Sequence, residues 1–194
     1  YSDIFSDVPG VTHLAEHGII LNSAEPVRVK AYPIPFNVRK AVDAEVQQML
    51  ELGVIEPSQS PYASPLHLVK KKDGSLRPVV DFRRINKITI FDAEPMPNAD
   101  EIYSKLASDK YFTKLDFTKG YWQIPMRAED KPKTAFTCSA GSFQFARMPF
   151  GLVNAGAAYN RMMRKLLDAL TNVDSFVDDV LVHTGAWADH LKSV

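Results

Sequence analysis

The chain has 194 residues, 45% of them hydrophobic and 24% charged, ordinary globular proportions that exclude a largely disordered or fibrous protein. Twenty-three basic side chains balance 23 acidic ones, so any attraction to nucleic acid or to an acidic membrane surface must come from local patches. A single cysteine, Cys138, excludes an internal disulfide and a cysteine-based zinc site and fits a reducing compartment, while no apolar run reaches bilayer length and no secretory segment is present. The chain reads as soluble and intracellular. It begins at Tyr1 without a methionine and ends at Val194 soon after a strand-like run, as a piece of a longer protein does.

In chain order, residues 1–36 read as irregular or extended, with Pro9-Gly10 as a turn. Between Arg39 and Leu52, Val42, Val46, Met49 and Leu50 recur at helical spacing and Gly53 follows as a cap, which predicts an amphipathic helix. Residues 66–70 and 76–82 are β-rich runs separated by lysines and the Asp73-Gly74 turn pair, a hairpin signal. A strand over 111–115 runs into Asp116. A second hairpin, 133–138 with 142–147, would turn near Ala140-Gly141, and a third, 174–177 with 180–183, on Asp178-Asp179. Residues 155–170 place Tyr159, Met162, Met163, Leu166, Leu167 and Leu170 on one helical face, with Asn154 positioned as N-cap. Strands and helices mix without strict βαβ alternation, so the fold class is α+β with antiparallel sheet.

Three features carry chemistry. Asp178-Asp179 sits at the tip of a hairpin with apolar arms. Such a tip is either solvated surface or, facing a cleft, a pair of like charges relieved by a bound cation or a raised pKa. Asp116 also ends an apolar strand; if that strand neighbours the hairpin, three carboxylates form a hard-oxygen site suited to Mg²⁺ or Mn²⁺. Spacing alone leaves that adjacency open. Residues 62–90 hold seven basic against two acidic side chains, a local net of +5, which is either a clamp for phosphate oxygens or a solvated hairpin guarded by its lysines. Tyr121 and Trp122 follow Asp116 closely, as core aromatics or as one wall of a nucleotide pocket. The five histidines show no metal-ligand spacing and receive no role, and Cys138 reads as a buried small hydrophobe.

Taken in order, six blocks resemble the reverse transcriptase of long-terminal-repeat retrotransposons of the Ty3/Gypsy type. They are Ser64-Pro65-Leu66-His67-Leu68-Val69-Lys70-Lys71-Lys72-Asp73-Gly74, Arg77-Pro78-Val79-Val80-Asp81-Phe82-Arg83-Arg84-Ile85-Asn86, Lys114-Leu115-Asp116-Phe117-Thr118-Lys119-Gly120-Tyr121, Lys133-Thr134-Ala135-Phe136, Met148-Pro149-Phe150-Gly151-Leu152 and Phe176-Val177-Asp178-Asp179-Val180. The resemblance runs colinearly from about Pro9 to the end. It implies a right-hand polymerase without its thumb. The N-terminal extension and fingers would occupy 1–91, the first part of the palm 92–123, the second part of the fingers 124–154 and a truncated second part of the palm 155–194. The palm it implies is a small antiparallel sheet backed by helices.

By the same resemblance, Asp116, Asp178 and Asp179 would be catalytic and would hold two Mg²⁺ ions, with Mn²⁺ as a substitute. Arg77 and Lys71 match residues that grip the incoming triphosphate. Tyr121 matches the aromatic that rejects a 2′-hydroxyl, which speaks against an RNA-directed RNA polymerase, and Phe150 and Gly151 match the segment lining nucleotide and template. The implied activity is RNA-directed DNA polymerisation from deoxynucleoside triphosphates on a primed RNA or DNA template, with no membrane partner, in the cytoplasm or in virus-like particles. Thumb, connection and ribonuclease H regions would lie in the same parent polyprotein. The alternative is a noncatalytic nucleic-acid-binding fragment of a decayed or truncated element. Two departures stand out: Phe176 replaces the usual Tyr, and Gly156-Ala157-Ala158-Tyr159 replaces the usual Pro-Ala-Thr-Phe.

Overall fold

In a computed structural model, which describes residues 5–70 and 76–194, the first helix, α1, spans Phe36–Glu51 and buries Val42, Val46 and Met49. It stops as its sequence predicts. Gly53 adopts φ +62°, its N–H bonds Leu50 O at 3.0 Å, and the Val54 N–H bonds Met49 O at 2.9 Å, the paired bonds of a left-handed helix terminus.

Among the described residues, eight strands form two sheets. The first holds β1 (Ile55–Pro57), β2 (Ser64–Lys70), β3 (Leu76–Val80), β5 (Phe136–Cys138) and β6 (Gly141–Phe145) in the order β1-β6-β5-β2-β3. Its pairs are antiparallel except β2 with β5. The Asp73-Gly74 turn lies outside the described residues. The second sheet is antiparallel, in the order β4-β8-β7, from β4 (Tyr111–Asp116), β7 (Val173–Phe176) and β8 (Asp179–Thr184). Helices α2 (Arg83–Ile88), α3 (Ala99–Leu106), α4 (Ala155–Leu167) and α5 (Trp187–Ser193) complete an α+β fold. Among the described residues no helix is long and apolar enough to cross a membrane.

Several boundaries shift for local reasons. Residues 131–134 form a short 3₁₀ turn instead of entering the strand, because Pro132 cannot donate to a ladder. There Thr134 Oγ1 donates to Lys131 O at 2.7 Å and accepts the Phe145 N–H at 2.9 Å. The following hairpin turns on Ser139-Ala140, one residue early, and Gly141 opens β6 at φ +134°. Helix α4 ends at Leu167, so its buried stripe is Ala155, Tyr159, Met162 and Met163, while Leu166 and Leu170 are exposed. Asn154 does not cap it; the side chain instead accepts from the Asp92 N–H (3.1 Å) and donates to Ile90 O (2.8 Å), tying α4 to the preceding connection. The N-terminal bend falls at Asp7-Val8 and not at Pro9-Gly10.

The core is continuous from α1 to the second sheet, with Ile85, Ile124, Phe136, Met148, Tyr159 and Met163 wholly buried. Residues 5–35 run over it as a strap with isolated bridges, such as His17 to Met126 and Leu21 to Thr89. The strap is fastened at Asp130, which is buried, accepts the Ile19 N–H at 3.0 Å and pairs with Lys133. Lys133 also donates to Ile19 O at 2.6 Å. On the second sheet, His183 of β8 lies 2.6 Å from Asp109 through Nδ1 and 3.0 Å from Asp174 of β7 through Nε2, and Lys105 of α3 reaches Asp174 at 2.6 Å. That chain of ionic contacts clips α3 to the sheet.

The strap makes stability pH-dependent. Burial holds the His17 imidazole down at about 4 against an ordinary 6.5; Asp130 and Asp92 pull it upward and Arg127 further down. Between those values the unfolded chain binds a proton that the native chain refuses, so stability is full above about pH 6.5 and is lost as pH falls towards 4. Urea midpoints across this window should show a loss of roughly 2–3 kcal/mol for the wild type, and the slope should flatten in His17→Gln. Parallel slopes for the two proteins would remove His17 as the cause.

Candidate active site

The register of the second sheet sets the site. Antiparallel pairing of β4 with β8 puts Asp116 directly opposite Asp179, and pairing of β7 with β8 puts Phe176 opposite Asp179. The hairpin therefore turns on Val177-Asp178, one residue earlier than expected, and Asp179 is the first residue of β8. A two-residue turn between twisted strands requires positive φ, and Val177 supplies it at +57°. For a β-branched residue this left-handed conformation costs about 1–2 kcal/mol, so a local strain sits beside the acidic pair.

Directly opposed residues share a face of the sheet, as do residues two apart along a strand. Lys114, Asp116, Asp179 and Leu181 thus lie on one face, the face that carries α3. Val180, Val182 and Thr184 are buried on the other. Lys114 Nζ lies 2.8 Å from Asp179 Oδ2, with both side chains partly open to solvent. The Asp178 charge adds, after burial, to the raised pKa of both Tyr121 and Tyr159. Among the described residues no three carboxylate, imidazole or thiol side chains are gathered closely enough to form a ready metal cage. The backbone brings the three aspartates to one end of one sheet, where Lys114 pairs with Asp179.

An aromatic wall follows Asp116 in the chain. Asp116 leads into a tight turn in which Lys119 takes φ +48°, followed by a 3₁₀ segment, Gly120–Gln123, that carries Tyr121. The Tyr121 ring stacks on Phe150 with centroids 5.0 Å apart and planes at 16°, and lies 5.1 Å from Tyr159 of α4. The Arg77 guanidinium sits 5.3 Å from the Phe150 centroid, a cation–π contact. Arg77, Phe150 and Tyr121 therefore stack in one series, with the buried Tyr159 packed against Tyr121 from within. Gly151 follows Phe150 at φ +91°, and Asn86 of α2 clamps this loop, donating to Gly151 O at 2.7 Å and accepting the Val153 N–H at 3.0 Å.

Of the residues singled out in the sequence, the structure brings Asp116, Asp178 and Asp179 to one sheet end and Arg77, Tyr121, Phe150 and Gly151 to the wall beside it; Lys71 lies outside the described residues. Sequence reasoning missed Lys114, Asn86 and the support given by Tyr159. Lys114 was findable, because two-residue spacing from Asp116 on a strand puts both on one face. Nothing in local spacing pointed Asn86 at Gly151, 65 residues away.

A strand-end carboxylate thus stands opposite an acidic hairpin, near a stack of aromatic rings and a guanidinium. A sequence profile of the reverse transcriptase (RNA-dependent DNA polymerase) family matches residues 69–194. The chain is 39% identical over 180 residues to the retrovirus-related Pol polyprotein from transposon opus of Drosophila melanogaster, covering 89% of this chain and 18% of that protein. It is 38% identical over 180 residues to the corresponding polyprotein from transposon gypsy of the same organism, covering 88% of this chain and 17% of that one. The prototype foamy virus protease-reverse transcriptase superposes with a TM-score of 0.89 at 27% identity, over all of this chain and 26% of that one. The foamy viral enzyme solved with an RNA/DNA hybrid superposes at 0.87, with 24% identity over 97% of this chain and 25% of that one, a likeness of fold. The chain belongs to the reverse transcriptase family, a family of nucleotidyltransferases, and it spans about a fifth of the length of the curated relatives it matches.

Packing under the wall is tight enough to test. A Cβ added at Gly120 would lie 2.6 Å from the Tyr159 hydroxyl oxygen, which is buried and has no hydrogen-bond partner. Gly120→Ala should cost about 1–3 kcal/mol by overpacking, whereas Tyr159→Phe, which deletes an unsatisfied hydroxyl, should be neutral or stabilising by about 1 kcal/mol. The double variant should recover part of the glycine penalty in a denaturation cycle. Strict additivity would mean the two groups do not meet.

Proposed function

We propose that the chain is the fingers and partial palm of an RNA-directed DNA polymerase of Ty3/Gypsy type, transferring a nucleotide from a deoxynucleoside triphosphate to a primer 3′-hydroxyl. The observation that carries this reading is the β4–β8 register that sets Asp116 opposite Asp179, with Asp178 beside it in the hairpin turn. The two sheets support a division in which 1–91 and 124–154 build the fingers and 92–123 and 155–194 the palm, because each sheet draws its strands from those segments alone.

The donor set fits hard divalent cations: three carboxylates, exposed or half-buried, at the end of a rigid sheet, with no soft ligand beside them. Asp116, Asp178 and Asp179 would hold two Mg²⁺ ions, and Mn²⁺ meets the same chemistry. When bound, such ions lower the pKa of the primer hydroxyl and neutralise charge at the α-phosphate as pyrophosphate leaves. Arg77, held in place by Phe150, would present planar donors to the triphosphate, with Lys71 as the second cation that the family resemblance assigns there. Tyr121, stacked on one side and buttressed by Tyr159 on another, cannot swing away from a ribose 2′-hydroxyl, so it selects the deoxy sugar by exclusion. Phe150 and Gly151 line the nucleotide, with Asn86 fixing their loop.

The template would be a primed RNA or DNA strand. A reverse transcriptase of similar fold is known with an RNA/DNA hybrid, and the curated relatives are Pol polyproteins. Thumb, connection and ribonuclease H segments would belong to the same parent polyprotein, acting in the cytoplasm or within particles.

Primer extension with a labelled oligonucleotide, run beside salt-dependent binding of the same duplex, tests the reading. Asp178→Asn should lose nearly all incorporation while its unfolding transition stays near that of the wild type; retained incorporation would count against the assignment. Tyr121→Ala should admit ribonucleotides more readily, and an unchanged ratio of deoxy to ribo incorporation would strip Tyr121 of that role. Duplex binding by the wild type without extension would select the noncatalytic alternative.

A further inference from the structure

The proposed function leaves one charged group at the acidic hairpin without a task. Lys114 contacts Asp179 at 2.8 Å and sits two residues before Asp116 on the same sheet face. Among the described residues no other cation is paired with any of the three aspartates. We propose that Lys114 is an internal counter-ion of the acidic hairpin, one that competes with a divalent cation for Asp179 and thereby sets the affinity and readiness of the site.

The geometry carries this. Lys114 and Asp179 both line a cavity of about 240 Å³ between α3 and the sheet, bounded by Ile102, Tyr103 and Phe176, to which Asp116 and Asp178 do not contribute. The ammonium thus holds Asp179 towards α3. It bonds one of the two opposed aspartates and stands two residues from the other on the same sheet face. One cation against three carboxylates reduces the repulsion of the opposed aspartates in the apo state without abolishing the demand for more positive charge.

Exposure makes the pair exchangeable. Side-chain exposures of 64% for Lys114 and 42% for Asp179 leave the bond in high dielectric, where ion pairs contribute little to folding. A lysine ammonium is a mobile, well-hydrated point charge, able to withdraw on its flexible stem when a doubly charged ion arrives. Coupling of this kind is reciprocal: whatever the ammonium gains from Asp179 in the apo state, the metal must displace, and its affinity falls by the same factor. Lys114 is therefore a positioning residue. A merely structural lysine would behave oppositely, since its removal would loosen the hairpin and weaken the metal.

This inference rests on the metal-site reading above, and titration of the whole chain with Mn²⁺ and Mg²⁺ alone, by calorimetry and thermal shift, separates the two. Lys114→Met and Lys114→Gln should bind Mn²⁺ about three- to ten-fold more tightly than the wild type, as expected for removing an exposed competing cation. Their metal-free melting temperatures should fall slightly and their metal-induced shifts should grow. Lys114→Arg, which keeps the charge, should stay near the wild type. Affinity equal to or weaker than that of a metal-binding wild type, in both neutral variants, overturns the inference alone. A wild type that binds no more metal than Asp178→Asn overturns the metal-site reading together with it.

Discussion

The site depends on one constraint, the pairing register between β4 and β8. Slipping either strand by one residue would turn Asp116 or Asp179 to the opposite face and bury a carboxylate where Val180 or Val182 now packs. The apolar face therefore enforces what the polar face requires. Thr113 and Thr184 both bond the buried His190 of α5, at 2.8 Å and 3.2 Å, which locks the far end of the same pair. His183, between Asp109 and Asp174, locks the third strand. Opposed like charges and a left-handed valine oppose folding locally, and hydrophobic burial one residue away offsets them.

The second sheet supplies the acids, and the wall near them is drawn from both halves of the fold. Arg77 stands on β3, Phe150 on the loop clamped by Asn86, Tyr121 on the turn after β4 and Tyr159 on α4. Their rings meet because Gly120 lets the turn approach Tyr159 to a distance that no side chain would allow. The strap of residues 5–35 adds a brace on the far side of that turn. Thr118 Oγ1 donates to Ser6 O at 2.7 Å, and the Thr12 N–H donates to Gln123 O at 2.8 Å, so both flanks of the Tyr121 segment are held.

Much of this was legible in the amino-acid order. The α1 stripe and its glycine cap, the strand ending at Asp116 and the acidic hairpin follow from short-range periodicity and turn chemistry, which act within a few residues. Where tertiary bonds win, local reading fails. Asn154 has the composition of an N-cap, but Asp92 and Ile90 offer its amide better partners; residues 133–134 resemble strand until Pro132 and the Thr134 hydroxyl close a 3₁₀ turn. The hairpin tip shifted by one residue because pairing of Asp179 with both Asp116 and Phe176 outweighs the strain of a left-handed valine. The adjacency of Asp116 to the hairpin is a long-range fact. Resemblance implied it and the sheet displays it, but spacing contained no trace of it.

Two of the three residues that depart from the usual pattern at the start of α4 border the same ring. A Cβ at Gly156 would meet the Tyr121 hydroxyl at 3.7 Å, ordinary van der Waals contact, so the space a proline ring would fill lies beside Tyr121. Three residues later, Tyr159 carries a hydroxyl that a phenylalanine would lack, and it too points towards this turn, against Gly120. The Tyr159 hydroxyl has no partner there, so it adds bulk beneath Tyr121 without adding a bond. Interiors pack at near-crystal density, so such an atom is held by the backbone of Gly120 giving it room, and not by any attraction of its own.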